Sequence, residues 1–146
     1  MSSTRRTVSW AVLALLGTVM LLFSLISAAV AYRGPHRDRI GSLVLPELAA
    51  GRAEVATALQ ARRGTAAAFG AGYAVLFLSI VLGPYRRGET WSWWALLGGT
   101  LATALVILAR IPLLHTRLGA GSGALMLAIV LVALLLDAGR LGAKPA

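Results

Sequence analysis

The sequence predicts an all-α integral membrane bundle of four transmembrane helices, with a short amphipathic helix between the first and second. Three observations predict it. Of the 146 residues, 58% are hydrophobic and only 13% are charged, against about a quarter charged in soluble domains; the mean hydropathy is +0.80. A soluble fold must cover itself with polar surface, and this chain has too little, so lipid is the solvent that explains the deficit. Four apolar runs alternate with short basic stretches, and Trp, Tyr and Arg gather at the ends of those runs, as they do at membrane interfaces. The length suits one compact unit, so 1–146 reads as a single transmembrane domain.

The first span is expected at 10–32. Trp10 to Tyr32 carries no charge, and at 1.5 Å per residue such a run crosses a hydrocarbon core of about 30 Å with some tilt. Arg5 and Arg6 precede it, and Trp10 and Tyr32 bracket it. The competing reading is a signal peptide with Ala29-Val30-Ala31 as its cleavage site, but the apolar stretch is longer than the usual signal core of about 7–15 residues. A retained helix is the expectation.

The stretch Arg33 to Gly41 is polar and turn-like. A short amphipathic helix is expected at 46–63. Pro46 suits a first helical position, Glu47 and the Arg62-Arg63 pair complement the dipole at the two ends, and Gly64 supplies a C-terminal break. Leu48, Val55 and Leu59 share one side; Arg52, Glu54 and Gln60 occupy much of the rest. Such a helix lies in the headgroup plane or caps the bundle; the alternative is that it runs on into the second span.

That second span is expected at 65–83, stopped by Pro84, which lacks an N–H and disfavours helix in the residue before it. Tyr85, Arg86 and Arg87 would stand just outside. The third is expected at 91–109, opened by Trp91, Trp93 and Trp94 as an aromatic belt and ended by Arg110 and Pro112; a ligand-stacking platform is the alternative for the tryptophans. The fourth is expected at 121–139. Short connections make consecutive helices antiparallel neighbours. Small residues at four-residue spacing (Ala66, Gly70 and Ala74; Ala68 and Gly72; Gly98 and Ala102; Gly99 and Thr103; Gly119 and Gly123; Ala124 and Ala128) suit close helix contact within the bundle, or homo-oligomerisation.

Charge sets partners and orientation. The formal net charge is +9. Thirteen of the fourteen basic residues are Arg, and only Lys144 is Lys, a bias that suggests a high-GC bacterial genome. The arginines flank apolar runs and do not line one face, so the expected partners are membrane lipids, including anionic headgroups, and no nucleic acid. With the N-terminus inside, the cytoplasmic set is Arg5, Arg6, Arg86, Arg87, Arg140 and Lys144. The outside set is Arg33, Arg37, Arg39, Arg52, Arg62, Arg63, Arg110 and Arg117. The two are close in number, and the long first loop inflates the second; both termini cytoplasmic is the expectation.

Candidate chemistry is sparse. The absence of Cys excludes disulfides, thiolate metal sites and thiol redox catalysis. No carboxylate or His lies at the centre of a span, where pumps and ion-coupled carriers need one. Walker A, HExxH and GxSxG patterns are absent, and Gly119 to Gly123 opens a membrane helix, not a strand-to-helix phosphate loop. His36, Asp38 and His115 share one side of the expected topology, but their spacing supports no metal site. No cofactor is expected. Asp137 is the deepest acidic residue, and Arg140, three residues on, shares its helical face. With Glu89 they form the one polar cluster the topology offers. An interfacial ion pair is the plain reading of Asp137, and a ligand-facing carboxylate the sharper one. In both, Asp137 faces protein and not lipid.

The segment Tyr85-Arg86-Arg87-Gly88-Glu89-Thr90-Trp91-Ser92-Trp93-Trp94-Ala95-Leu96, a basic turn leading into a Trp-rich third helix, resembles small four-helix bacterial membrane proteins, DoxX-like in the broad sense. The resemblance loosely covers spans two to four. It implies an accessory subunit or membrane protein without an assigned catalytic residue, in some members linked to respiratory or redox assemblies, and a cytoplasmic second loop. The expected function is therefore a non-enzymatic inner-membrane protein that binds lipid or a partner subunit. A small oligomeric transporter or channel would need a polar lumen, for which the spans offer Ser, Thr and Tyr73. A membrane enzyme acting on a lipid or quinone would rely on Glu89, Asp137 and Arg140.

Overall fold

The computed structural model describes residues 3–33, 39–40, 43–44, 52–117 and 119–142. The protein is all-α, built on four long helices. Helix α1 is Ser3–Tyr32 and α2 is Ala53–Ile80, prolonged by a π-helical turn, Val81–Tyr85. Helix α3 is Thr90–Leu108, and after one residue α4 resumes its course over Arg110–Leu114. Helix α5 is Ala120–Leu136, followed by a 3₁₀ turn, Ala138–Gly142. Two-residue strands β1 (Arg39–Ile40) and β2 (Leu43–Val44) form an antiparallel hairpin with Arg39 opposite Val44. Three helical runs are long and apolar enough to cross a membrane: Thr4–Tyr32, Ala53–Tyr85 and Thr90–Leu114. The fourth, α5, has 17 residues, about 25 Å of rise and the lower end of what spans a bilayer.

Four expected boundaries need correction. The first is the break at Gly64. Residues 53–63 are the opening turns of α2, not a separate amphipathic helix ending at Gly64, while 46–51 lie outside the described residues. Gly64 serves close approach instead, because a Cβ there would meet the Tyr32 hydroxyl at 2.6 Å. The second is the stop at Pro84. The chain passes through it in the wider π turn, where a proline's missing N–H and bulky ring are accommodated. The helix closes four residues later, where Gly88 turns left-handed at φ 94° and the N–H groups of Gly88 and Glu89 both bond the Pro84 carbonyl. The third is the end at Arg110. Pro112 sits in the first turn of α4, where its missing N–H costs little, and helix continues to Leu114. The fourth is the α-helix expected through 139, which stops at Leu136 and tightens into the 3₁₀ turn. The polar stretch 33–41, expected to be turn-like, contributes Arg39–Ile40 to the hairpin.

The chain divides into two compact units, Met1–Gly17 with Phe77–Ala146, and Thr18–Leu76. In the smaller, α1 and α2 run antiparallel. Tyr32 lies against Gly64 and Ser24 against Gly70, and the Arg63 Nε donates to the Ser27 hydroxyl at 3.3 Å. Ala67 and Ala74 are buried. The expected row Ala66–Gly70–Ala74 thus contributes to contact through Gly70 and Ala74, whereas Ala68 and Gly72 are open.

In the larger unit, α3 and α5 pack antiparallel. Trp93, Leu96, Thr100 and Ala104 form the buried stripe of α3 at helical spacing, facing Gly123, Val130, Ala133 and Leu134 of α5. A Cβ on Gly123 would lie 2.7 Å from Ile107 Cγ2 and 3.2 Å from its Cβ, so this glycine sets the distance between the two helices. Gly98, Ala102, Ala124 and Ala128 are exposed, so those expected small-residue rows are not buried against another helix among the described residues. Large apolar side chains point outward as well: Leu15, Leu105, Val106, Leu113 and Leu135 here, and Phe69 in the smaller unit, are each at least two-thirds exposed or close to it.

Candidate functional site

Within the larger unit the buried polar side chains other than Thr100 converge at one end, where α1 begins, α2 leaves its π turn, α3 begins and α5 ends. The last four carbonyls of a helix lack the usual partner one turn on; in α5 two of these are Ala133 and Leu134, the second already accepting the Asp137 N–H at 3.1 Å. Ser9 of α1 donates to the Ala133 carbonyl at 2.6 Å, and the Trp93 indole N–H of α3 donates to that of Leu134 at 3.0 Å. A hydroxyl carries a single hydrogen. Ser9 has spent its hydrogen on Ala133, so the 2.7 Å contact between Ser9 and Tyr85 is the Tyr85 O–H donating to the Ser9 oxygen. The relay Tyr85 to Ser9 to Ala133 thereby joins α2, α1 and α5. Ser9 and Tyr85 have no exposed surface at all.

Asp137 and Arg140 complete the cluster. The 3₁₀ turn eclipses side chains three apart, which places the guanidinium against the carboxylate. Arg140 Nη2 donates to Asp137 Oδ2 and, at 3.2 Å, to the Tyr85 carbonyl. Its guanidinium carbon stands 3.9 Å from the centroid of the Tyr85 ring, a cation–π arrangement. Asp137 is 1% exposed and Arg140 8%. Asp137 therefore faces protein, as its spacing from Arg140 suggests. Arg140 also brings positive charge to the C-terminal end of α5, which favours it. Its Nε and Nη1 are buried with no partner among the described residues.

Glu89 stands apart from this cluster. It precedes α3 and bonds Arg87 Nε at 2.8 Å and the Trp91 indole at 2.7 Å. These two bonds, the indole first, hold its carboxyl below the ordinary carboxylate range. The structure thus brings Asp137 and Arg140 together and leaves Glu89 on a separate, solvent-facing pair. His36 and Asp38 lie outside the described residues. His115 is exposed and ends α4 with φ 50°. Among the described residues no three His, Asp or Glu side chains gather.

Sequence reasoning missed Ser9, Tyr85 and Trp93. Tyr85, expected outside the second span, is wholly buried in the π turn. Trp93, expected in an aromatic belt, is buried, whereas Trp91 and Trp94 are more than half exposed. A signal for Trp93 was present: it is in phase with Leu96, Thr100 and Ala104, and three tryptophans within four residues cannot all point the same way round a helix.

What this arrangement does chemically is tie helices together. Ser9 meets another hydroxyl and a carbonyl, not a base, and Asp137 is engaged by Arg140. No known family model matches the chain, and neither a curated protein nor a solved structure is significantly similar to it.

Proposed function

We propose that the chain is a four-span bacterial inner-membrane protein, both termini cytoplasmic, that works by binding lipid or a partner membrane subunit and not by catalysis. One observation carries the reading: the most deeply placed ionisable groups, Asp137 and Arg140, close on each other and on a neighbouring backbone, while large apolar side chains point outward around the helices. An ionised carboxylate facing hydrocarbon is expensive, and pairing it within protein removes that cost. Outward Leu, Val and Phe suit acyl chains or the face of another membrane helix. On this reading Trp91 and Trp94 sit at the headgroup level, and the 17-residue α5 crosses with the 3₁₀ turn at its cytoplasmic end. The DoxX-like resemblance points the same way.

The test is alkaline extraction of native membranes followed by native electrophoresis in mild detergent. The expected result is retention in the alkaline pellet and a complex larger than the monomer. Release into the alkaline supernatant would end the membrane reading, and a bare monomer would remove the partner subunit and leave lipid as the ligand.

A further inference from the structure

Arg6, Thr7, Trp10 and Arg86 line a cleft of about 450 Å³ in the larger unit, within the range of about 300–1,000 Å³ typical of small-ligand sites. Five arginines stand at this end among the described residues: Arg5, Arg6, Arg86, Arg87 and Arg140. The two carboxylates there are spent, Glu89 on Arg87 and Asp137 on Arg140. Arg6 and Arg86 have no carboxylate partner among the described residues, and these are the two that line the cleft.

Both guanidiniums are held in place without being neutralised. Arg6 Nη2 donates to the Arg86 carbonyl at 2.8 Å. Its guanidinium lies on Gly88, where a Cβ would stand 2.5 Å from Nη2 and 3.1 Å from Cζ, so the absence of a side chain at 88 makes its seat. The Arg86 guanidinium lies over the Trp10 ring, 4.8 Å from its centroid. Each occupies one face or one edge and keeps further N–H donors, since a guanidinium has five. Two like charges drawn into one cleft repel, and an anion between them removes the repulsion.

We propose that this cleft binds a phosphate group, that of an anionic phospholipid headgroup. Planar guanidinium forks match phosphate oxygens in pairs. The cleft lies at the end of the first apolar run, where a membrane presents phosphate beside Trp10. The inference rests on the membrane reading above and narrows its lipid partner to one chemistry at one place.

The experiment uses the full chain in lipid nanodiscs and in detergent. Binding of short-chain phosphatidylglycerol is measured against short-chain phosphatidylcholine, with glycerol phosphate and inorganic phosphate as soluble probes. Phosphatidylglycerol should bind at least about tenfold more tightly than phosphatidylcholine, which carries the same phosphate but adds a choline cation that two guanidiniums repel, and should weaken with added salt. Tight binding by the soluble probes equal to that of the lipid would assign the same cleft to a free phosphate ligand and overturn the headgroup source. The double variant Arg6→Gln/Arg86→Gln should lose the preference. Arg86→Gln alone, at an exposed side chain whose loss costs the stack on Trp10 but no buried contact, should weaken it, and Arg110→Gln should not change it. Equal binding of the two lipids, or full preference in the double variant, would overturn the site. A chain that stays in the alkaline pellet yet shows no preference loses only this inference; a chain released by alkali loses the membrane reading itself.

Discussion

Asp137→Leu should destabilise the protein by about 3–5 kcal/mol, the usual cost of removing one partner of a buried ion pair. The cause is less the lost attraction than the charge left behind. Arg140 is buried, and among the described residues two of its nitrogens already lack partners and its positive charge would keep, without Asp137, only the Tyr85 carbonyl and ring. Asp137→Asn keeps an acceptor oxygen and should cost distinctly less. The double variant Asp137→Leu/Arg140→Met should recover much of the loss, since replacing both members of a buried pair with apolar groups is often neutral. Denaturant unfolding in mixed micelles, followed by tryptophan fluorescence, reads all three. A loss in Asp137→Leu below about 1 kcal/mol, typical of an exposed pair, would contradict the buried cluster.

Tyr85→Ala is expected to have an effect of similar size, about 3–5 kcal/mol, as for other large aromatic truncations in cores. Its ring fills the junction beneath Arg140 and its hydroxyl opens the relay through Ser9. Tyr85→Phe keeps the ring and removes one hydrogen bond, so it should cost about 1 kcal/mol. Ser9→Ala leaves the Tyr85 hydroxyl and the Ala133 carbonyl without their partner and should cost about 1–3 kcal/mol. The double variant Tyr85→Phe/Ser9→Ala should cost less than the sum of the two, because both act on one chain of bonds. Strict additivity in that cycle would show that the relay does not exist.

What could be read in the sequence, and what could not, separates along local and distant interactions. The long helices were legible because uncharged runs bounded by Arg and Trp have few other solutions. The Asp137–Arg140 pair was legible because its partners are three residues apart and any helical turn brings them together. The helix ends were less so. Pro84 reads as a stop, yet a π turn absorbs it, and that choice depends on Tyr85 having a buried place to go. Gly64 reads as a break because its partner, Tyr32, is distant in the chain. The rest of the cluster joins residues far apart in sequence, Ser9 with Tyr85 and Ala133, and Trp93 with Leu134. Nothing local marks a serine near a helix start as the hydroxyl that will bond one of another helix's last carbonyls.

The central claim is that the chain alternates across a bilayer with the polar cluster at its cytoplasmic end. Because the chain has no Cys, single cysteines report this directly. Thr4→Cys and Thr90→Cys stand at that end, Arg117→Cys in the loop before α5, and all three side chains are exposed. Treated with a membrane-impermeant maleimide in intact spheroplasts, Arg117→Cys should be labelled, whereas Thr4→Cys and Thr90→Cys should react only after lysis. Labelling of all three before lysis, or of none until lysis, would contradict the account.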